Sequence, residues 1–357
     1  MIGDDNMRYI NIEHLNEGMI VANDILSPNN NIPLVKNNSR LTSSVIESLK
    51  KCNIRGIYIN DEVSKNINIK DNISQTLQAK SINALRSMNF EDVIDSAKEI
   101  VEEYIYLDDI SFDKLNVSNN MYEHALNVCE FSVAVGKKMG YNREKLTGLA
   151  ISALLHDVGK TCIDNNLLSK INISSALSKK INVDTNNENY HYYMHPAYGH
   201  NMLNNVDGMS SLIRTSILHH HENENGTGFP LGLKSNDINE YAKIVHVCDE
   251  YDKIITKNGP SEALEYIMGG NGTLFNENVV KVFKEYIPIY PKGITVILSN
   301  GIRAIVAENH KENPLRPKLI LEQNGQMLDL IMPVWKNITI TGVDMDFDNK
   351  EKNMSKL

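Results

Sequence analysis

The sequence Ala153-Leu154-Leu155-His156-Asp157-Val158-Gly159-Lys160 is an apolar helical stretch that ends in adjacent histidine and aspartate side chains. Leu146 and Ala150 extend the apolar pattern at helical spacing, and Gly159 favours a stop, so the pattern predicts a helix that ends at this dipeptide. Adjacent side chains inside a helix point about 100° apart, whereas a helix end that faces a cavity lets both approach one centre. The stretch therefore predicts a helical domain that presents an imidazole and a carboxylate together.

Most histidines of the chain cluster around this stretch. Nine of the eleven fall between His124 and His246, and His219-His220-His221 are consecutive and followed by Glu222. Imidazole and carboxylate are the ligands that borderline and hard divalent metals prefer, and no cysteine pair stands inside the cluster. The pattern predicts a metal centre built from nitrogen and oxygen ligands.

Each of these residues taken alone has a plainer explanation. A single buried histidine is most often a hydrogen-bonded core residue, and three consecutive histidines can form a solvated helix end. Asp249 is harder to explain in this way because it lies on an apolar helix, where a buried carboxylate requires a cation or several hydrogen-bond donors. The joint occurrence of these residues in one helical region favours the metal centre.

The composition is that of a soluble globular protein, with 41% hydrophobic and 23% charged residues, and the length of 357 residues predicts two or three modules. A net charge of −9 argues against binding to a nucleic acid polymer. No apolar run reaches the ~18–20 residues of a membrane-spanning helix, and the acidic N-terminus lacks a secretory signal, so no membrane contact is expected. We expect a cytoplasmic protein with reduced thiols, because its cysteines lie far apart, at Cys52, Cys129, Cys162 and Cys248.

Periodicity and turn signals divide the chain into five segments. β-prone runs and one amphipathic helix fill the first, and Ser44 with Glu47 is a candidate capping box for that helix. Asn300-Gly301 and Asn324-Gly325 stand between β-prone runs, which is a strong hairpin signal because both turn residues need positive φ. The predicted fold class is mainly α, an all-helical domain flanked by small N-terminal α/β and C-terminal antiparallel β modules. The predicted segments are an α/β module at 1–66, a helical linker at 67–117, the helical metal-binding domain at 118–288, a β module at 289–346 and a disordered tail at 347–357.

A hydrolytic site with two metals needs roughly five to seven ligands and one bridging carboxylate. Two ions ~3.5–4 Å apart can share a hydroxide, lower its pKa and hold the oxygens of a phosphoryl group. His156-Asp157 supplies two ligands from one helix end, and His220-His221 can supply two more from another helix, which ends before Gly226 to Pro230. The pattern is therefore compatible with a dinuclear hydrolytic centre.

The same residues carry a family resemblance. Residues 153–160 are similar to the HD signature of metal-dependent phosphohydrolases. His195-Pro196-Ala197-Tyr198-Gly199 and the segment from His220 to Pro230, His-His-Glu-Asn-Glu-Asn-Gly-Thr-Gly-Phe-Pro, resemble the HD-GYP subfamily. Residues 242–252, Ala-Lys-Ile-Val-His-Val-Cys-Asp-Glu-Tyr-Asp, follow in the order that the subfamily has. The order and spacing agree across the predicted helical domain, which makes the resemblance specific.

The resemblance implies a bacterial phosphodiesterase that hydrolyses the second messenger cyclic di-GMP to linear pGpG, to GMP or to both. It implies a centre of two or three divalent transition metal ions, often iron or manganese, with a hydroxide that bridges two of them, and it is compatible with a homodimer. Asp157 is the implied bridging ligand and Lys160 the implied cation at the scissile phosphate. The implied metal ligands are His124, His156, Asp157, His195, His220, His221 and Asp249. The implied substrate-binding residues are Lys160, Gly226, Gly228, Phe229 and Pro230.

The chain departs from the family pattern at several places, three of which bear on the site. Asn120 stands where family members with a third metal carry glutamate, so we predict two metals. Phe229 replaces the tyrosine of Gly-Tyr-Pro and keeps only the ring. An Arg-Pro-Tyr-Arg loop is missing after Asp252, which leaves Lys253 and Lys257 as candidate replacements for its cations.

Two alternative functions stay open at this point. The shortened loop favours the same chemistry on another cyclic dinucleotide or on a nucleotide. A non-catalytic sensor or scaffold that binds a nucleotide is the third hypothesis, although such a protein would be marked by lost ligands and all seven are present. A comparison of cyclic di-GMP with other cyclic dinucleotides separates the first two hypotheses.

Overall fold

The computed structural model describes residues 5–344, with the exception of 27–32, 53, 109, 111, 116, 119 and 165–172. Helices dominate the described residues, and small antiparallel sheets lie towards both ends of the chain. The predicted fold class, mainly α with flanking modules that contain strands, is confirmed. The predicted disordered tail, 347–357, lies outside the described residues.

The N-terminal module is a small α/β unit. Its elements are β1 Asp5–Asn6, β2 Arg8–Asn11, β3 Ile20–Val21, β4 Ile25–Leu26, β5 Pro33–Val35, α1 Ser43–Lys51, β6 Gly56–Asn60 and β7 Asn68–Ile69. An antiparallel sheet in the order β2-β6-β3 forms its centre, and Leu49 of α1 is buried in the same apolar cluster. The predicted capping box is wrong, because α1 begins before Ser44. Thr42 caps the helix instead, and its hydroxyl accepts a hydrogen bond from the backbone N–H of Val45 at 3.3 Å.

The central region is helical. Its helices are α2 Gln75–Ser87, α3 Phe90–Tyr106, α4 Met121–Lys138, α5 Arg143–Leu155, α6 Lys160–Asp164, α7 Ser175–Ser178, α8 Tyr190–Met202, α9 Ser211–His219, α10 Glu240–Asn258, α11 Pro260–Gly269 and α12 Glu277–Tyr286. Asparagine side chains cap several of them, since an amide oxygen satisfies the free N–H groups of a first turn. Asn142 caps α5 as its spacing indicates, accepting from the N–H of Lys145 at 2.9 Å. Asn120 caps α4, accepting from Tyr122 and Glu123 at 3.0 Å each.

The C-terminal module is a five-stranded antiparallel sheet. Its strands are β8 Thr295–Leu298, β9 Arg303–Glu308, β10 Lys318–Leu321, β11 Met327–Asp329 and β12 Ile340–Val343, in the sheet order β11-β10-β9-β8-β12. Both predicted hairpins are present, β8 with β9 and β10 with β11, and their turn glycines Gly301 and Gly325 have positive φ. Apolar side chains of this sheet share one continuous core with α2 to α5, so the segment boundaries expected from the sequence stay predictions.

No helix among the described residues is both long enough and apolar enough to cross a lipid bilayer. The cysteines all lie within the described part of the chain, and none of them is paired.

Gly159 allows α8 to lie directly against the end of α5. A Cβ atom at this position would come within 2.0 Å of the backbone oxygen of His195 and 2.6 Å of the backbone nitrogen of Gly199. No side chain fits into that space, so glycine is required here by the close approach of two backbones. The contact brings His195 next to the His156-Asp157 dipeptide.

Replacement of Gly159 by alanine should lower the free energy of unfolding by about 1–3 kcal/mol, because the added methyl group forces the two backbones apart. Urea titration followed by circular dichroism measures the change. Gly269→Ala is the matched control, since Gly269 ends α11 and a Cβ there meets nothing within 4 Å. Equal stability of the two variants would contradict the close approach.

Candidate metal centre

The helices bring all the predicted ligands into one buried cluster. His124 lies on α4, His195 on α8 and Asp249 on α10. Two dipeptides stand at helix ends, His156-Asp157 directly after α5 and His220-His221 at the end of α9. Every one of these side chains is buried, with an exposed fraction of 8% or less. The convergence expected from the sequence is therefore present in the fold.

The cluster consists of two groups that share one residue. Within each group, the ligand atoms lie within 4.8 Å of one another. The groups are Asp157 with His195, His220 and His221, and Asp157 with His124 and His156. Asp157 faces both, with Oδ1 3.1 Å from Nε2 of His195 and Oδ2 3.5 Å from Nε2 of His156. Asp249 joins the second group, because its Oδ1 is 3.0 Å from Nε2 of His124. This is the geometry expected of a bridging carboxylate between two ion positions.

Hydrogen bonds from Nδ1 orient the imidazoles. Three histidines donate Nδ1–H to the backbone carbonyl three residues earlier, at 2.7 Å for His156, 2.5 Å for His195 and 2.7 Å for His220. Because a carbonyl oxygen can only accept, Nδ1 carries a proton in each of the three, which leaves Nε2 as the nitrogen that can bind a metal ion. Nδ1 of His124 lies 2.7 Å from a carboxylate oxygen of Asp252, which favours the same tautomer. Such outer hydrogen bonds are typical of histidines that bind metals.

The free nitrogens point at each other in pairs. Nε2 of His156 is 3.3 Å from Nε2 of His124, and Nε2 of His195 is 3.2 Å from Nε2 of His220. Two imidazole nitrogens at this distance need a proton or another cation beside them, since two lone pairs would repel each other. The arrangement is therefore compatible with a bound cation.

Buried polar atoms without partners support the same interpretation. Among the described residues, Oδ1 of Asp157 and Nε2 of His221 are buried and make no hydrogen bond, and the buried Oδ1 of Asp249 faces imidazole nitrogens, 3.0 Å from Nε2 of His124 and 3.6 Å from Nε2 of His156. A buried polar atom without a partner is costly, and a metal ion would satisfy all three. The donor set is nitrogen and carboxylate oxygen, which suits divalent transition metals.

Burial and neighbouring charges shift the pKa values of these groups, mostly towards the protonation states in which they can bind a metal ion. Burial lowers the pKa of His220 to about 3, so this imidazole is neutral at neutral pH. Burial opposes ionisation of Asp157, yet the charges of His156 and Lys160 hold the pKa of its carboxyl well below the usual range. Burial also disfavours the charged form of His124, but hydrogen bonds to its carboxylate neighbours raise its pKa to about 10. A proton and a metal ion therefore compete for Nε2 of His124.

Asp252 belongs to the candidate site and was not predicted from the sequence. It is fully buried and lies one turn after Asp249 on α10. One carboxylate oxygen contacts Nδ1 of His124 at 2.7 Å, and the other accepts from the side-chain amide of Asn127 at 2.8 Å. Asp252 thus orients the predicted ligand His124. The signal was its three-residue spacing from Asp249, which places both carboxylates on one helix face.

Two ammonium groups flank the cluster. Nζ of Lys160 lies 2.5 Å from Oδ2 of Asp157, which agrees with its expected place at the centre. Nζ of Lys253 lies 2.6 Å from Oδ2 of Asp249, so this lysine also reaches the site, whereas Lys257 is exposed. The half-exposed ring of Tyr192 lies beside them, 5.5 Å from Nζ of Lys160, and was not predicted.

The loop that carries Phe229 covers the His221 side of the cluster. The two rings pack with centroids 4.6 Å apart and planes at 31°. Glu222 holds the loop in place, because its carboxylate accepts hydrogen bonds from the backbone N–H groups of Leu231 at 2.6 Å and Leu233 at 2.8 Å. The fourth residue of the His-His-His-Glu run is therefore a loop anchor in this structure.

The remaining predicted loop residues shape the same turn. Gly226 has a φ of 82°, and a Cβ at Gly228 would lie 2.4 Å from the backbone oxygen of His221. The backbone oxygen of Pro230 accepts a hydrogen bond from the N–H of Asn182 at 2.8 Å. Contact between this loop and a substrate stays a prediction.

A third group of ligand-type residues adjoins the cluster. His246 and Glu250 offer ligand atoms within 4.8 Å of one from His221. Nε2 of His246 lies 3.0 Å from the side-chain oxygen of Asn223, which orients the ring. Because His221 already belongs to one of the two groups above, this third group does not form a site separate from them.

The fold and the cluster are those of a helical protein whose buried imidazoles and carboxylates are compatible with metal binding. The HD domain family model matches residues 107–279 of this chain. The resemblance to HD-GYP proteins found in the sequence is confirmed by curated relatives. A cyclic di-GMP phosphodiesterase of Pseudomonas aeruginosa, PA4108, is 30% identical over 59% of this chain and 50% of that protein.

Two further relatives carry the same kind of name. The cyclic di-GMP phosphodiesterase PdeB of Borreliella burgdorferi is 27% identical over 58% of this chain and 53% of that protein. A cyclic di-GMP phosphodiesterase of Thermotoga maritima is 26% identical over 68% of this chain and 70% of that protein. The chain thus spans about half the length of the first two relatives.

Replacement of Asp252 by asparagine should weaken metal binding about 10–100-fold, because His124 loses the carboxylate that orients it. Manganese binding followed by isothermal titration calorimetry measures the change. Asp237→Asn, at an exposed position, is the matched control. Unchanged affinity in the Asp252 variant would contradict the orienting role.

Proposed function

We propose that this protein is a phosphodiesterase that hydrolyses cyclic di-GMP to linear pGpG, to GMP or to both. The observation that carries the proposal is the overlap of two imidazole groups on the single carboxylate of Asp157. A site with two adjacent ion positions and a bridging ligand suits in-line displacement at phosphorus. The names of the curated relatives support the same reaction.

The proposed cofactor is a pair of divalent transition metal ions, iron or manganese. His195, His220, His221 and Asp157 would hold one ion, and His124, His156, Asp157 and Asp249 the other. When bound, the ions would supply a hydroxide nucleophile at neutral pH and neutralise the phosphoryl oxygens. A third ion is not proposed, because the amide oxygen of Asn120 is used to cap α4.

The residues of the chain itself supply charge and orientation. Lys160, beside Asp157, provides a cation where negative charge accumulates on the phosphate. Lys253, beside Asp249, takes the place of a cation from the missing arginine loop. The rings of Tyr192 and Phe229, with centroids 6.1 Å apart, offer aromatic surface for a nucleobase.

The shortened loop after Asp252 keeps one second candidate open, which is hydrolysis of another cyclic dinucleotide or of a nucleotide by the same centre. A non-catalytic sensor or scaffold is disfavoured, because every expected ligand converges on the cluster. Cytoplasmic location, a homodimer and the absence of nucleic acid partners stay predictions from the sequence.

Protein purified without oxygen should contain about two transition metal ions per chain and hydrolyse cyclic di-GMP, as the two overlapping ligand groups require. Metal analysis and chromatography of the products measure both.

Replacement of His156 and Asp157 by alanine should abolish hydrolysis of cyclic di-GMP and of bis(p-nitrophenyl) phosphate. Turnover by metal-free protein or by this double variant would defeat the proposal. A strong preference for another cyclic dinucleotide would support the second candidate instead.

Replacement of Lys253 by methionine should raise KM for cyclic di-GMP about tenfold, because a charge-assisted contact to phosphate is lost. KM for bis(p-nitrophenyl) phosphate should change less, since this small diester offers fewer groups to hold. Lys257→Met is the matched control, as Lys257 lies exposed on the same helix. Equal effects of the two substitutions would show that Lys253 does not contact the substrate.

A further inference from the structure

A second cavity lies apart from the metal centre, where the N-terminal module meets α2 and α4. Its volume is about 360 Å³, and none of the proposed metal ligands lines it. Tyr9 and Gly56 contribute from the N-terminal sheet, Gln78 from α2, and Asn127 and Glu130 from α4. A space of this size at the junction of two modules can hold a small molecule.

The charged side chains of the cavity are mostly acidic. Asp24, Glu123 and Glu130 line it, against one ammonium group from Lys114. That ammonium is already paired with Asp71 at 2.7 Å, so it adds little positive charge to the cavity. The walls therefore favour a cation over an anion.

The cavity also contains polar atoms that lack partners. The hydroxyl of Tyr9 is buried, and the residue is 4% exposed, yet this hydroxyl makes no hydrogen bond within the described part of the chain. The side-chain oxygen of Asn23 is buried without a partner as well. A buried polar atom without a partner is rare in folded proteins and calls for a ligand, water or ion. Two such atoms in one cavity indicate a ligand that forms hydrogen bonds.

One wall of the cavity is joined to the metal centre by hydrogen bonds. Asn127 lines the cavity, and its side-chain amide donates to Asp252 at 2.8 Å. Asp252 in turn contacts Nδ1 of the proposed ligand His124 at 2.7 Å. A molecule that displaces Asn127 would therefore alter the position of a metal ligand.

We propose that this cavity binds a small organic cation, an amine or guanidine with several N–H donors, and that its occupation changes metal affinity through Asn127 and Asp252. Glu130 accepts a hydrogen bond from the hydroxyl of Tyr104 at 3.1 Å, and burial raises its pKa to about 8, so this carboxyl releases its proton to solvent when it pairs with the cation. The oxygens of Asn23 and Tyr9 accept hydrogen bonds from the ligand. Ile57, Ile82 and Leu126 pack against its aliphatic part. Binding at this cavity does not depend on the proposed phosphodiesterase activity.

Calorimetric titration of the full chain with putrescine and with agmatine tests the site, and succinate serves as the anionic counterpart. We expect saturable binding of at least one cation, with one molecule per chain, and none of succinate. Ala79→Trp should abolish binding, because Ala79 lines the cavity and is exposed, so the added ring closes the mouth without disturbing the core. Thr76→Trp is the matched control on the exposed surface of α2 and should bind normally.

Two conservative variants test the proposed contacts. Glu130→Gln should weaken binding about tenfold or more, because charge-assisted hydrogen bonds are roughly twice as strong as neutral ones. Tyr9→Phe should weaken binding about three- to tenfold, while the melting temperature of the free protein stays equal or rises, since the lost hydroxyl has no partner. A lower melting temperature would show that the hydroxyl is satisfied in the free protein.

The proposed coupling between the cavity and the metal centre is tested by measuring manganese affinity with and without the cation. Manganese affinity should change at least threefold when the cation saturates the cavity, and cation affinity should change by the same factor when manganese is bound. Identical manganese affinity with and without cation would overturn the link. Absence of binding by both cations, equal binding of succinate, or equal binding by the Ala79 and Thr76 variants would overturn the site itself. Neither result depends on whether the protein hydrolyses cyclic di-GMP.

Discussion

The burial of one carboxylate, that of Asp157, constrains how the helices of the domain pack. Asp157 directs its two oxygens at separate sets of imidazoles, and one of these oxygens has no hydrogen-bond partner among the described residues. A charge in such a position is costly unless cations surround it. The helices around it must therefore do two things at once: they must exclude water and still deliver neutral nitrogen atoms to the carboxylate. Most features of the domain follow from this double requirement.

Helix ends solve the geometric part of the problem. His156 and His220 stand where α5 and α9 stop, so that each can present its neighbour, Asp157 or His221, to the same space. Mid-helix positions could not do this, because successive side chains diverge by about 100°. Gly159 then permits α8 to approach closely enough to add a ligand from a third direction. The positions at which helices end and the close contact between two backbones are thus as important to the site as the ligands are.

The sequence predicted much of this, for reasons that are local. The signals are adjacent ligand types, helical spacing and Asn-Gly turns, and each can be recognised within a few residues. The structure agrees with them in its fold class, in both C-terminal hairpins and in the convergence of the predicted ligands. The errors and omissions arise where contacts are distant in sequence. Thr42 caps α1 in place of the predicted Ser44–Glu47 box because the start of a helix is set by its packing. Asp252, Tyr192 and the second cavity depend on how separate helices meet, which spacing within one segment does not encode.

The histidine orientations differ in a way that has an evolutionary consequence. His156, His195 and His220 are held by carbonyl groups of their own backbone, which every amino-acid sequence with this fold supplies. His124 alone among these four is held by a side chain, the carboxylate of Asp252. In the proposed centre, both groups therefore contain an imidazole held by main chain, and only the group with His124 also contains one whose orientation a single codon change could alter. A substitution at Asp252 would thus act on one half of the proposed centre and leave the backbone contacts of the other half in place.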